Sequence, residues 1–350
     1  MHGVILFLPK EATMRLSICV PTYNRAPELR VMLDSLMAQT GYGLDVEIVI
    51  SDNASTDDTP TLVASYADRD IPIVYHRLTD NLGFDRNILN AVACASGDYC
   101  WLFGSDDVLL DTGAFARVER VLAVYPMLAG ISLGSDGYNH DMTERTAPHN
   151  YIATNFAAET LLNGRGEIIS SVGPWFGYMS SIVVRREAWA RAVDASPIEP
   201  YLNGYVHTYV VARSLDEQST WVCVPDILVG CRLGNDSFQG RDTFARTQLD
   251  MVGYERAFGD TLGRDHWAYR SAMAKVSAFY VRTHFLGAKI YGAGSPYWKQ
   301  AIPMSVSYYW RYPTFWMRTF PIAITPRPLM LMAQAIFRRT LKRRGIKAFA

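Results

Sequence analysis

Apolar runs of strand length alternate with helical patterns through the first third of the chain. Leu16-Ser-Ile-Cys-Val20 is mostly β-forming and ends at Pro21, and a helical pattern opens near Ala26 with Leu29, Leu33 and Leu36 on one face. Asp45-Val-Glu-Ile-Val-Ile-Ser-Asp52 predicts a second strand. It is closed by Asn53-Ala-Ser-Thr-Asp-Asp-Thr59, whose small polar residues suit a turn and a helix N-cap. A third strand is expected from Ile71 to His76, leading to Asn81-Leu-Gly83 and a helix that carries Arg86 and Asn87. The fourth lies in Ser96-Gly-Asp-Tyr-Cys-Trp-Leu-Phe-Gly-Ser-Asp-Asp107, an aromatic, apolar run that delivers two carboxylates to a sheet edge. Four strands alternating with helices argue for an α/β fold with a parallel, doubly wound sheet, whose ligands lie beyond the carboxyl ends of the strands. Tyr23, Asp52, Arg86 and the pair Asp106–Asp107 fall at or just after those ends, and adjacent carboxylates there can hold a divalent cation.

Four pieces in order, Val20-Pro-Thr-Tyr-Asn-Arg25, Ser51-Asp-Asn-Ala-Ser-Thr-Asp-Asp-Thr59, Asn81-Leu-Gly83 with Arg86 and Asn87, and Ser96-Gly-Asp98 through Asp107, make a specific set. Over roughly residues 15–110 the chain resembles the family 2 glycosyltransferases, with the A-type nucleotide-diphospho-sugar transferase fold. It is similar in particular to the bacterial, abequosyltransferase-like branch that decorates surface polysaccharides. The resemblance implies a donor site built from Pro21, Tyr23, Arg25, Asp52, Asn53, Asn81, Arg86 and Asp106. Tyr23 and Asp52 would line the nucleobase, Arg86 the base or diphosphate, and Asp106 the ribose; Asp107, with Asp106, would hold Mn²⁺ or Mg²⁺. The implied reaction is a single in-line displacement that moves a hexosyl or deoxyhexosyl group, with inversion, from a nucleotide-diphospho-sugar to a hydroxyl of a glycan or lipid-linked glycan acceptor.

Two departures from the family pattern stand out. The usual Asp-X-Asp-Asp end of the fourth strand reads Gly104-Ser-Asp-Asp107, so its first carboxylate is missing. After residue 170 there is no Glu-Asp or Asp-Asp pair, where the family keeps its general base. His207 falls roughly where that pair is expected, and an imidazole serves as a base near neutral pH, although a lone histidine is more often structural. Glu199 is the second candidate. Ahead of a strand at Ser180–Val184, Gly173-Pro-Trp-Phe-Gly-Tyr178 gathers Trp175, Phe176 and Tyr178 between glycines. Aromatic faces pack on the apolar side of a sugar ring, which makes this an acceptor platform or, equally, a core-filling loop.

With 350 residues, 49% of them hydrophobic, and equal numbers of acidic and basic side chains, the chain buries a large core and is not extensively disordered. The expected organisation is a catalytic domain over residues 1–265, split into a nucleotide-sugar half (14–110) and an acceptor half (111–265), then a helical C-terminal region (266–350). The five cysteines form no CxxC pair and read as reduced core residues. Met1 to Lys10 lacks the basic start and cleavage site of a signal peptide; it reads as an extra strand or as sequence upstream of a start at Met14.

The neutral total hides an asymmetry. Past Asp265 the chain has fourteen Lys or Arg and no Asp or Glu, interleaved with Tyr308-Tyr-Trp-Arg-Tyr312 and Phe315-Trp-Met-Arg318 and ending in the cluster Arg338–Lys347. Cations with aromatics suit the surface of an anionic membrane, here the inner face of the cytoplasmic membrane. Arg311, Arg318, Arg327 and several prolines interrupt any spanning run, and no nucleic-acid module accompanies the charge. Two rivals to glycosyl transfer remain at this stage. One is a nucleotidyltransferase of related fold, disfavoured because the first-strand loop has no glycine; the other is a non-catalytic sugar-nucleotide-binding scaffold. The sequence fixes neither donor, acceptor nor oligomeric state.

Overall fold

The computed structural model describes residues 14–125, 127–147, 151–234 and 243–343; the expected N-terminal strand lies outside them. The described strands form one sheet: β1 (Arg15–Thr22), β2 (Asp45–Asp52), β3 (Ile73–Arg77), β4 (Tyr99–Leu102), β5 (Val108–Leu109), β6 (Gly130–Tyr138), β7 (Arg145–Ala147), β8 (Thr160–Asn163), β9 (Ile182–Arg185) and β10 (Thr220–Arg232). Their order is β3-β2-β1-β4-β9-β6-β10-β5, with β7 on β6 and β8 on β10. The first four strands are parallel, as the alternation with helices requires, and β6 pairs in parallel with β10. The third strand begins two residues later than expected because Pro72 has no N–H for the ladder; its carbonyl instead accepts Ile48 N at 2.9 Å.

Period-2 alternation divides β1 between two cores. Leu16, Ile18 and Val20 join Leu29, Leu33 and Leu36 of the helix Ala26–Met37 on one face. Cys19 joins Val49 of β2 and Ile88, Ala91 and Val92 of the helix Phe84–Ala93 on the other. All five cysteines are free.

Two antiparallel strands determine what surrounds the acidic pair. β9 lies between β4 and β6 with Leu102 opposite Ile182, so the loop entering β9 arrives where β4 leaves for Asp106. β5 pairs antiparallel with β10, Val108 opposite Gly230, which sets Arg232 beside Asp107.

The C-terminal region is helical, as expected: Trp267–Val276, Arg282–Tyr291, Ser295–Tyr309, Phe320–Ile324 and Arg327–Arg343, with π turns at Ser277–Val281 and Phe315–Thr319. Met273, Phe285, Tyr309 and Phe315 share an apolar cluster with Tyr209 and Phe258, so these helices complete the core beside the sheet. Among the described residues no helix is long and apolar enough to cross a membrane.

Candidate active site

The end of β4 turns sharply so that Asp106 and Asp107 face different partners. Asp107 is buried; its Oδ2 accepts Ser180 Oγ at 2.5 Å and Tyr178 Oη at 2.9 Å, and its Oδ1 accepts Arg232 N at 3.0 Å. Asp106 is ion-paired with Arg25, and its carbonyl accepts Arg232 Nε at 2.8 Å. Burial, and then the charge of Asp106, push the Asp107 carboxyl up to about 7, while the three hydrogen bonds pull the other way. A Cβ at Gly104 would lie 3.0 Å from Asp107 Oδ2, 3.1 Å from Asp106 Oδ1 and 3.2 Å from Ser180 Oγ. The hydroxyl of Ser180, which also accepts Gly104 N at 2.8 Å, thus stands where the family pattern would bring a further carboxylate.

Among the described residues no group of three or more His, Cys, Asp or Glu is arranged to hold a metal. The pair itself suits a hard dication: it offers two adjacent carboxylates, and a hard divalent cation takes oxygen ligands. Such an ion would draw the rest of its oxygen shell from a ligand.

The pair forms one wall of a cavity of about 890 Å³ that is also lined by Pro21 at the end of β1 and by Tyr23 and Arg25 from the loop after it. Asn24 holds that loop in place from the left-handed region (φ 51°), its Oδ1 accepting Thr56 N at 2.7 Å. Asn53 and Asn81 line the same end, joined by a 2.8 Å hydrogen bond. Asp52 lies beneath that wall, fully buried, accepting Tyr75 Oη at 2.5 Å and Ser55 N at 2.8 Å. Arg86 and Glu199 lie outside the cavity lining, on the surface, with 3.9 Å between guanidinium and carboxylate.

His207, only 2% exposed, lines the cavity from the first turn of the helix Val206–Ser214. Asp85 fixes that turn, accepting Gly204 N at 2.7 Å and Val206 N at 3.1 Å. The imidazole stands edge-on to Phe84, and its Nε2 lies 3.3 Å from Gly177 O. A carbonyl only accepts, so Nε2 carries the proton and Nδ1, buried without a partner among the described residues, keeps its lone pair. Burial drops its pKa to about 4, against the pull of the Gly177 and Phe176 carbonyls.

A second cavity of about 560 Å³ shares Gly177, Tyr178, Tyr205 and Arg246 with the first. Trp175 lines it, stacked on Tyr151, and Tyr178 lines both. Phe176, expected as a third platform aromatic, is instead fully buried against Trp221: the turn that exposes its neighbours points it into the core. Tyr205 Oη donates to Asp250 at 2.5 Å, and Asp250 also takes His284 Nε2 at 2.6 Å and Arg246 at 2.9 Å. Burial alone would raise the Asp250 carboxyl; His284 and Arg246 outweigh it and hold the group below its ordinary range.

The family model of Glycosyl transferase family 2 matches residues 17–179. Abequosyltransferase RfbV of Salmonella typhimurium (strain LT2) is 34% identical over 257 residues, 71% of this chain and 75% of that protein. The chain belongs to glycosyl transferase family 2. Validoxylamine A glucosyltransferase of Streptomyces hygroscopicus subsp. jinggangensis is 34% identical over 167 residues, 46% of this chain and 36% of that protein. Among solved structures, residues 1–349 of TarS from S. aureus superpose with a TM-score of 0.58 at 15% identity, covering 92% of this chain and 87% of that one, a likeness of fold. The same protein in complex with UDP-GlcNAc gives a TM-score of 0.54.

In this family 2 glycosyltransferase, sequence reasoning missed Ser180, Arg232, Tyr205 and Arg246. Arg232 had a signal: a lone basic residue between Gly230 and Gly234, where a long apolar strand ends. The other three gave none, because they meet the site only through sheet and helix packing.

Proposed function

We propose that the chain transfers a hexosyl or deoxyhexosyl group from a nucleotide-diphospho-sugar to a hydroxyl of a glycan acceptor, with inversion, in the assembly of a bacterial surface polysaccharide. The observation that carries this reading is a cavity with an acidic pair on one wall and, lining it too, a buried imidazole with an unpaired Nδ1. Tyr23, Asn53 and Asn81 line the end suited to the nucleobase and ribose, with Asp52 setting the wall from below. Asp106 and Asp107 would hold Mg²⁺ or Mn²⁺, which would supply positive charge to the departing diphosphate. Arg25 and Arg232, both in the cavity wall, add positive charge for the same oxygens. Arg86, exposed beside the cavity, has a place at the donor only if its side chain swings in from Glu199.

His207 takes the proton of the acceptor hydroxyl as that oxygen attacks the anomeric carbon, a role open to it only if the ring turns to bring its buried Nδ1 to the cavity surface. With a pKa of about 4 it is unprotonated at neutral pH but a weak base. A bound diphosphate raises it, because negative charge in the same cavity favours the imidazolium. The inner face of the cytoplasmic membrane is the proposed location, reached through the basic C-terminal helices. Release of nucleoside diphosphate from a panel of sugar nucleotides, with and without Mn²⁺, tests the reading. Transfer requires turnover of at least one donor; binding without release by any of them would leave a sugar-nucleotide-binding protein instead.

A further inference from the structure

The second cavity has a charge pattern that sugar binding alone does not call for. Arg246, Lys275, Arg282 and Arg318 line it, and among the described residues no Asp or Glu does. Arg246 is matched by Asp250 at 2.9 Å. Lys275 Nζ donates to Ser170 O at 2.7 Å, a neutral partner that leaves its charge unbalanced. Arg282 and Arg318 have neither a carboxylate nor a hydrogen-bond partner among the described residues. Arg282 and Arg318 are exposed, so solvent moderates their mutual repulsion, but an anion entering the concavity would be attracted by all of these charges at once.

The backbone explains how these charges meet. Arg282 directly follows the π turn Ser277–Val281, and Arg318 lies within the π turn Phe315–Thr319. Thr319 Oγ1 donates to Ser277 O at 2.7 Å and locks the two turns together. Each π turn carries an extra residue and re-aims the side chains around it, a feature that recurs at functional sites. The first of these turns sets Phe279 and Tyr280 in the wall, Phe279 packing against Trp175 with 5.9 Å between ring centroids. Trp175 Nε1 is a buried donor with no partner among the described residues.

We infer that this cavity is an anion-binding acceptor subsite in which Arg282, Arg318 and Lys275 hold a phosphate or diphosphate carried by the glycan acceptor, while the aromatic wall packs on its sugar. The inference rests on the glycosyl-transfer reading for the word acceptor. Guanidinium groups suit this ligand because their paired N–H donors match phosphate oxygens. The shared wall at Tyr178 and Tyr205 sets the anionic end of the acceptor one subsite away from the donor cavity. Two acceptor types carry this chemistry: a glycan joined to a lipid through a diphosphate, and a polymer joined by phosphodiesters.

The test uses the full chain and soluble probes: farnesyl diphosphate, farnesol and an oligo(glycerol phosphate), with binding read by calorimetry in EDTA. Farnesyl diphosphate bound at least tenfold more tightly than farnesol, with the difference lost in the double variant Arg282→Gln, Arg318→Gln, supports a lipid-diphosphate acceptor. The same loss seen only with oligo(glycerol phosphate) supports a phosphodiester polymer. Arg282→Lys and Arg318→Lys should restore part of the affinity, and each single Gln variant should weaken binding about threefold or more if the double variant does not fold. Binding of farnesyl diphosphate no tighter than farnesol, together with oligo(glycerol phosphate) binding unchanged in the Gln variants, overturns the inference. Failure of the glycosyl-transfer reading is seen separately: no sugar nucleotide would be turned over, while arginine-dependent anion binding would persist.

Discussion

Tyr178 Oη donates to Asp107 Oδ2 at 2.9 Å, which fastens the aromatic loop before β9 to the acidic pair after β4. One phenol thereby belongs to the wall of both cavities and to the hydrogen-bond shell of a carboxylate. Tyr178→Phe keeps the ring and removes one of the three donors to Asp107. Losing a hydrogen bond to a charged group costs about 1.5–3 kcal/mol. The melting temperature should fall by a few degrees and turnover about tenfold or more; a drop in stability with unchanged turnover would make the phenol purely structural.

The acidic pair separates metal from donor. Asp107→Asn removes charge from the place where a dication meets a diphosphate, so turnover should drop at least about a hundredfold, the scale of one lost electrostatic group. Asp106→Asn should chiefly weaken donor binding, since it also frees Arg25 from its ion pair. Initial rates across a Mn²⁺ titration distinguish them. Near-normal, metal-independent activity in the Asp107 variant would refute the metal assignment.

How much of this was legible beforehand depends on sequence distance. Strand β2 runs over Asp45–Asp52 as the alternation predicts, and Pro21, Tyr23, Arg25, Asn53 and Asn81 reach the cavity because each ends or follows a strand of the parallel half, where sequence order fixes spatial order. Phe176 could not be told from Trp175 by composition: one faces Trp221 in the core and the other the second cavity, and only the turn decides. Ser180 and Arg232 depend on β9 and β10 entering the sheet out of chain order, which no local pattern encodes. Glu199 was sought as an acid near the missing Glu-Asp pair, yet its side chain sits on the surface against Arg86.

His207 gives a prediction for catalysis and another for stability. His207→Ala should lower turnover strongly with donor affinity almost unchanged, because a base acts in the transition state. In stability, a folded pKa of about 4 against an ordinary 6.5 means the unfolded chain binds the proton more readily. The contribution is complete above about pH 6.5 and is lost as pH falls toward 4, on the order of 3 kcal/mol in all. Urea unfolding of wild type and His207→Gln at pH 7 and pH 5 should show the gap between them shift in favour of the glutamine variant at the lower pH. A pH-independent gap would mean the imidazole is not held neutral by burial.

Gly177 supplies the carbonyl that fixes the His207 tautomer, and its own Cβ position is occupied. A methyl there would collide with Tyr254 Oη and lie 3.0 Å from the Tyr205 ring. Neither ring yields easily: Tyr254 Oη is bonded to Pro174 O at 2.5 Å and Tyr205 Oη to Asp250 at 2.5 Å. Gly177→Ala should destabilise by roughly 1–3 kcal/mol, as overpacking does, and reduce turnover by moving the base. Thermal melts and kcat together check it; a normal melt would show that the loop has more room than the packing implies.

The last prediction concerns the membrane. The helix Arg327–Arg343 exposes Leu329, Met332 and Ile336, and the preceding segment exposes Trp310 and Trp316, in a stretch without a single acid. Arg338, Arg339, Lys342 and Arg343 lie on that helix; Arg344 and Lys347 of the same cluster lie outside the described residues. Each cation near an anionic surface contributes on the order of 1 kcal/mol, so the cluster and its apolar neighbours suffice for reversible docking. A cut near residue 300 would be a poor test, because Tyr309 and Phe315 are fully buried in the core. Ending the chain after Pro326, or replacing Arg338, Arg339, Lys342 and Arg343 with Glu, spares that core. Co-sedimentation with liposomes should require anionic lipid, weaken with salt, and disappear in both variants while donor turnover in solution persists. Full-length protein that ignores anionic liposomes at low salt would leave this helix with a structural or oligomeric role instead.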